Sequence, residues 1–149
     1  MQKKNKGFTL IEMLVVVAVI GLLASLILVG LSDFRTRGRD TRRIADIKEV
    51  QNGLEVYYMK NGTYPIIQDS ATGWNELEKA LTTAGINQIP NDPNAPTKTY
   101  YYSSDGQHYV IGVELEDLDS NKALLDKDVD NGDETYGVDC DDPIYCIKM

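Results

Sequence analysis

One acidic side chain, Glu12, interrupts an otherwise uncharged apolar run near the start of the chain. The run covers the 24 residues from Phe8 to Leu31 and contains no other charged residue. A helix rises about 1.5 Å per residue, so a run of this length can cross a hydrocarbon core about 30 Å thick. A charge is costly in such surroundings and is as a rule paired and functional. The sequence therefore predicts a partner of opposite charge for Glu12.

Three aspartates at alternate positions are the candidate metal ligands. They are Asp126, Asp128 and Asp130. Alternating aspartates followed by glycine are typical of the opening of an EF-hand loop, whose oxygens suit Ca²⁺. The sixth and twelfth positions are Asn131 and Gly137, where that loop has Gly and Glu, so a complete EF-hand is not expected. Two interpretations remain, a looser calcium site and a solvated acidic loop.

The two cysteines, Cys140 and Cys146, enclose a short segment that reads Asp-Asp-Pro-Ile-Tyr. No histidine or further cysteine accompanies them, so a disulfide fits the pair better than a zinc site does. A disulfide that closes so short a loop contributes roughly 2 kcal/mol in the chain-entropy model. Because disulfides persist in oxidising compartments, the pair indicates an exported domain.

A long helix is predicted to carry Glu12 and to continue beyond the apolar run. The later apolar positions recur at spacings of three and four, which is typical of an amphipathic helix. They are Ile44, Ile47, Val50 or Gln51, Leu54, Tyr57 and Tyr58. Asn61-Gly62 and Pro65 mark the end of the helix. We expect a basic leader at 1–7, a transmembrane and assembly helix at 8–31, its amphipathic continuation at 32–60 and a globular head at 61–149.

The head is predicted to combine a short helix with a small antiparallel sheet. Trp74 to Ala84 has one apolar face and is followed by Gly85, which favours a helix. The segments 98–103 and 108–113 flank an Asp-Gly turn and predict a hairpin. A third strand is expected at 144–148. The fold class is therefore α+β, with a long helix packed on the sheet.

Net charge limits the classes of partner and activity. The chain carries −8, and from Ile44 onward 7 basic and 20 acidic residues leave a balance of −13. Such a domain repels nucleic-acid backbones, so general nucleic-acid binding is not expected. The single histidine, His108, lies in a predicted strand, and no nucleophile motif or phosphate-binding loop accompanies it. We therefore expect no enzymatic activity.

A cluster of arginines follows the apolar run. The five are Arg35, Arg37, Arg39, Arg42 and Arg43. Two interpretations remain open, a solvated collar beside the membrane and pairing between subunits with Asp33, Asp40 or Asp46. By the positive-inside rule these arginines favour a cytoplasmic tail. The cysteine pair favours an exported tail. We give more weight to this pair and to the N-terminal junction at Gly7-Phe8 than to the arginines.

The junction Gly7-Phe8-Thr9-Leu10-Ile11-Glu12 follows three leader lysines and opens the apolar run. It resembles the cleavage and methylation signature of type IV prepilins, a superfamily that includes type II secretion and competence pseudopilins. The resemblance implies that a prepilin peptidase cuts between Gly7 and Phe8 and that Phe8 is then N-methylated. It also implies that Glu12 neutralises the new amine of a neighbouring subunit. The family often has a proline near the position of Val29, and this chain has none there.

The main interpretation is a structural subunit of a type IV pilus-like filament. The alternative is a type II secretion or competence pseudopilin, acting in protein secretion or DNA uptake, and a third is a membrane-anchored calcium-binding module that does not polymerise. The resemblance implies as partners the peptidase, copies of the chain and related pilins, an inner-membrane assembly platform and membrane lipid. No cofactor is required, and calcium is a candidate because major type II pseudopilins carry it in a comparable loop. The N-terminus is expected in the cytoplasm and the head outside it, before a cell-surface or periplasmic filament forms.

Overall fold

The computed structural model describes residues 7–86, 89–130 and 136–149, and for residues 26–30 it describes the backbone without the side chains. The leader up to Lys6 and the segment Asn131-Gly132 of the EF-hand comparison lie outside the described residues. The chain divides into two compact units, of which the first ends at Arg35 and the second is Thr36–Met149.

The first helix, α1, runs over Leu10–Asn61 and has 52 residues. The sequence predicts a helix over 8–60, so the observed helix begins two residues later and ends one residue later. It begins later because Thr9 caps the helix and is not part of it. In the second unit, Ile47, Val50 and Leu54 are almost completely buried. These three belong to the apolar stripe expected for the amphipathic continuation.

The second helix, α2, runs over Ser70–Thr83 and begins earlier than the predicted residue, Trp74. The reason is the Asp69 carboxylate, which accepts the Ala71 N–H at 3.0 Å and caps the helix. The predicted apolar face is buried through Trp74, Leu77 and Leu81.

Three antiparallel strands form one sheet in the order β1-β2-β3. The strands are β1 at Tyr101–Ser104, β2 at Tyr109–Glu114 and β3 at Ile144–Lys148. Ile111 in β2 pairs with Tyr102 on one side and with Ile147 on the other. The predicted hairpin and third strand are present, and the α+β class is confirmed.

The central strand β2 is buried on both faces. Tyr109, Ile111 and Val113 join the core that contains the buried stripe of α1. Val110 on the opposite face joins a smaller cluster with Val138 and the two cysteines. The C-terminal segment therefore covers the side of the sheet that α1 leaves open.

The edge of the sheet at β1 is covered by α2. The two meet at Gly73, where a Cβ atom would lie 2.1 Å from the Tyr102 carbonyl oxygen. Only a residue without a side chain permits this contact. The close approach shields an outward-facing part of the β1 backbone, which would otherwise be an exposed sheet edge.

A third helix, α3 at Leu118–Leu125, lies just before the alternating aspartates, where the sequence pattern predicted no helix. Asp117 caps it by accepting the Ser120 N–H at 3.0 Å. Leu125 is its buried residue, so the helix has a weak apolar pattern. The cap was the sequence signal that could have identified this helix.

Candidate functional site

The predicted processing junction lies at the start of α1. The Phe8 side chain is 84% exposed, and Gly7 and Phe8 precede the helix. The Glu12 carboxylate accepts the Thr9 N–H at 2.8 Å and the Thr9 hydroxyl at 2.7 Å. The Thr9 Oγ1 in turn accepts the Glu12 N–H at 3.3 Å. This reciprocal pair is a capping box, which closes the first turn of the helix.

Glu12 therefore has a neutral partner within the chain. Its carboxylate is directed toward the start of the helix, where it binds Thr9, the residue next to Phe8. The positive end of the helix dipole favours negative charge at this position. The predicted pairing with a Phe8 amine needs a cut chain and stays a prediction, as do the cut after Gly7 and the methylation of Phe8.

The first unit exposes a continuous series of large apolar side chains along α1. Each of the following is at least half exposed: Leu10, Ile11, Met13, Leu14, Val15, Val16, Val17, Val19, Ile20, Leu22 and Leu23. An exposed apolar surface of this extent indicates a site of protein or membrane contact. Among the described residues, no helix is both long enough and apolar enough to cross a membrane.

The arginine cluster is not a solvated collar throughout, because Arg43 is fully buried. Its guanidinium makes a two-bond contact with Asp92, at 2.7 Å from Nε and 3.0 Å from Nη2. The Nη1 atom lies 2.8 Å from Asp40 and 2.7 Å from Glu116. The collar interpretation is wrong for Arg43, and its carboxylates come from the same chain.

The neighbouring arginines also pair within the chain. Arg39 makes a two-bond contact with Glu116, and Arg37 Nε lies 2.9 Å from Asp117. The Arg39 guanidinium, followed by that of Arg43, holds the pKa of Glu116 at about 2, well below its ordinary value. Burial opposes the ionisation of Asp92, but the hydrogen bonds from Arg43 and from the Asn94 N–H outweigh it and lower the Asp92 pKa.

The two cysteines form the disulfide that their spacing favours. The bond joins Cys140 to Cys146, and both residues are buried against β2. A Cβ atom on Gly112 of β2 would lie 3.2 Å from the Cys146 sulfur. The glycine thus makes room for the disulfide on the outer face of the sheet.

The candidate metal ligands are only partly those that the sequence suggested. Asp128 and Asp130 lie together with Asp142, and one carboxylate oxygen from each falls within 4.8 Å of the other two. Asp126 ends α3 as its C-terminal cap and is not part of this group. Asp142 was missed because it is 12 residues beyond the alternating pattern, and its position inside the cysteine loop was the available signal.

The Asp128 carboxylate is held from one side. Its Oδ2 atom accepts the Cys146 N–H at 2.6 Å, whereas Oδ1 is buried and has no hydrogen-bond partner among the described residues. Burial raises the pKa of Asp128, and the charges of Asp130 and Asp142 add to this effect. Ligand oxygens lie 2.3–2.6 Å from Ca²⁺, so two of them on opposite sides are about 5 Å apart. The three carboxylates fit such an ion.

Comparison with known proteins finds a matching family model and several relatives. Residues 2–28 match the family model of the prokaryotic N-terminal methylation motif. Type II secretion system core protein G of Aeromonas hydrophila is 30% identical over 142 residues, which are 88% of this chain and 95% of the relative. The protein of the same name from Dickeya chrysanthemi is 29% identical over 123 residues, 76% of this chain and 77% of the relative.

A fimbrial protein, EcpB of Eikenella corrodens, is 32% identical over 88 residues, 59% of this chain and 55% of the relative. No solved structure matches the chain significantly. The secretion proteins cover more of the chain than this fimbrial protein does. They favour the secretion alternative over the pilus subunit that was the main interpretation of the sequence. The chain belongs to the type IV pilin and pseudopilin superfamily, and within it to the family of type II secretion system core protein G.

Proposed function

We propose that this chain is a pseudopilin of a type II secretion system, a structural subunit without enzymatic activity. The observation that carries the proposal is the 30% identity to a core protein G along 95% of that relative's length. The match of residues 2–28 to the methylation motif supports the processing step.

In this proposal a prepilin peptidase cuts the bond between Gly7 and Phe8 and methylates the Phe8 amine. The exposed position of this segment supports access by the enzyme. Glu12 then neutralises the amine of a neighbouring subunit, because its carboxylate already lies at the helix start. Before assembly the chain is held in the membrane by residues 8–31, and afterwards it belongs to a periplasmic filament with related pilins on an inner-membrane platform.

A strain that lacks this gene tests the proposal against the pilus alternative. Loss of exported enzymes from the culture medium, with surface pili unchanged, is the expected result. Plasmid-borne wild-type protein should restore secretion. Loss of surface pili with normal secretion would contradict the proposal and favour the pilus subunit.

We also propose that Asp128, Asp130 and Asp142 hold a calcium ion. The observation that favours this is the Asp128 Oδ1 atom, which is buried and has no hydrogen-bond partner among the described residues. A carboxylate oxygen without a partner is costly to bury. Calcium chloride should raise the melting temperature of the purified full chain more than magnesium chloride does, since Mg²⁺ gives up its waters reluctantly. An equal effect of both salts, or no effect of calcium, would contradict a calcium site.

A further inference from the structure

One arginine on the exposed face of α1 is held only loosely by its own chain. Four arginines belong to the second unit, and three of them, Arg37, Arg39 and Arg43, make close ion pairs within it. Arg42 differs, because its Nε atom lies 3.7 Å from Asp46 and its side chain is 61% exposed. An exposed contact of this length contributes little to stability. The Arg42 guanidinium is therefore accessible to a second chain.

The neighbouring aspartates of α1 are not accessible to a second chain. Asp40 and Asp46 are both buried. Asp46 accepts the Tyr100 hydroxyl at 2.7 Å, and Asp40 accepts the N–H groups of Glu116 and Asp117. An acid that pairs with Arg42 of another copy must therefore lie elsewhere on the surface.

Glu49 is an exposed carboxylate seven residues after Arg42 in the same helix. Seven residues make nearly two turns, so the two side chains share one face of α1 and stand about 10.5 Å apart along its axis. No ion pair within the described part of the chain includes Glu49. This face of α1 thus presents a cation and an anion at a fixed spacing.

A groove beside Glu49 suits the side chain of an arginine. It has a volume of about 390 Å³ and lies between α1 and the segment that follows α2. Val56, Ile86 and Pro90 line it with apolar surface. Lys60 also lines it, eleven residues beyond Glu49, and its amine is bonded to the carbonyl of the α2 C-cap. An arginine can lay its apolar stem on such a surface while its guanidinium reaches the carboxylate.

We propose that Arg42 of one copy binds Glu49 and the adjoining groove of the next copy, with the two α1 helices parallel and displaced by about 10.5 Å. This inference rests on the proposed function, because copies held in one membrane by the same segment run in the same direction. Each copy uses Arg42 toward one neighbour and Glu49 toward the other. A head-to-tail contact with an axial displacement cannot close into a ring, so it extends a filament.

Charge reversal tests the contact in the filament itself. Arg42→Glu and Glu49→Arg should each lower the yield of filaments sheared from cells about fivefold, since each variant places like charges opposite one another. The double variant Arg42→Glu/Glu49→Arg restores opposite charges across the contact. It should recover the wild-type yield to within about twofold.

Two controls separate this contact from general effects of charge and folding. Lys79→Glu makes the same change of charge on the exposed surface of α2, outside the groove, and should leave the filament yield unchanged. Urea midpoints of the purified full-length variants report whether each one folds. If Arg42 served only the fold of its own chain, the double variant would have as low a midpoint as Arg42→Glu and would not recover filament yield.

The possible failures have different meanings. Wild-type yield from both single variants, or a double variant no better than the single ones, would overturn the contact and leave the secretion pseudopilin standing. Absence of filaments from wild-type cells would remove the contact together with the proposed assembly. The deletion strain tests the secretory role separately.

Discussion

Glu12 has a partner inside the chain, because Thr9 and Glu12 form a capping box at the start of α1. The expectation that an isolated carboxylate needs an opposite charge took no account of this local arrangement. The capping box satisfies hydrogen bonds but leaves the negative charge uncompensated. A positive amine on Phe8 would supply that compensation at the end of the helix where the carboxylate already lies.

Replacing Glu12 with glutamine should reduce filament assembly roughly tenfold or more without removing the protein from the membrane. Glutamine can still cap the helix, so the change removes the charge and keeps the local structure. A hydrogen bond to a charged group contributes about 1.5–3 kcal/mol, and 1.4 kcal/mol corresponds to a factor of ten. Filaments sheared from cells and the membrane fraction can be quantified by immunoblot. Wild-type filament yield from this variant would contradict the assembly role.

Replacing Gly73 with alanine should destabilise the second unit by about 1–3 kcal/mol or more, because the new methyl group collides with a backbone oxygen. That oxygen belongs to Tyr102 and would lie 2.1 Å from the added carbon. Urea unfolding of the full chain in detergent can be followed by the fluorescence of Trp74, the single tryptophan.

The matched control for this change is Gly38→Ala in the exposed part of α1. Nothing lies within 4 Å of the added methyl group there. Alanine should stabilise that helix by about 0.5–1 kcal/mol, since glycine is a poor helix former. Equal unfolding midpoints for the two variants would show that the contact between α2 and β1 is looser than described.

At the scale of elements, Arg43 joins three separate parts of the second unit. It connects α1 to the loop that contains Asp92 and to Glu116, which precedes α3. Asp40 strengthens the second connection, because it accepts the N–H groups of Glu116 and Asp117. One buried cation thus sets the position of two loops against the helix.

Replacing Arg43 with methionine should cost about 3–5 kcal/mol, because it leaves buried carboxylates without their cation. Arg42→Met is the matched control on the adjacent residue. The Arg42 side chain is 61% exposed and lies 3.7 Å from Asp46, so its loss should cost less than about 1 kcal/mol. Urea midpoints can compare the two variants. A similar small cost for both would mean that the Arg43 contacts contribute little to stability.

Acid should weaken the same cluster in a defined direction. The folded chain holds the Glu116 pKa at about 2, whereas the ordinary value is near 4.5. Between these values the unfolded chain binds the proton and the folded chain does not, so stability falls as the pH falls through this window. Above about pH 4.5 the contribution is complete. In Glu116→Gln the fall in unfolding midpoint between pH 4.5 and pH 2 should be shallower, and an unchanged slope would contradict this assignment.

Periodicity and turn chemistry predicted most of these elements but not the contacts between them. The spacing of apolar residues identified α1, and the Asp-Gly turn identified the hairpin. The α3 helix was missed because its pattern is weak and only Leu125 is buried. The pairing of Arg43 with Asp92 and the grouping of Asp142 with Asp128 bring together residues far apart in sequence. Such contacts depend on tertiary packing, which no local pattern encodes.

At the scale of the whole molecule, the two units have different surfaces. The first presents large apolar side chains to its surroundings. The second buries a mixed core of aliphatic and tyrosine side chains, and from Ile44 onward the chain carries a balance of −13. An apolar segment suited to contact and an acidic domain that stays soluble fit a subunit that assembles through its N-terminal segment.

The N-terminal mass of the protein extracted from cells tests this account most directly. The measurement is mass spectrometry of the full-length product and of its N-terminal peptide. The account predicts a chain that begins at Phe8 and carries one methyl group on its amine. A chain that still begins at Met1, or one cut near residue 30, would contradict both the processing and the assembly proposed for this pseudopilin.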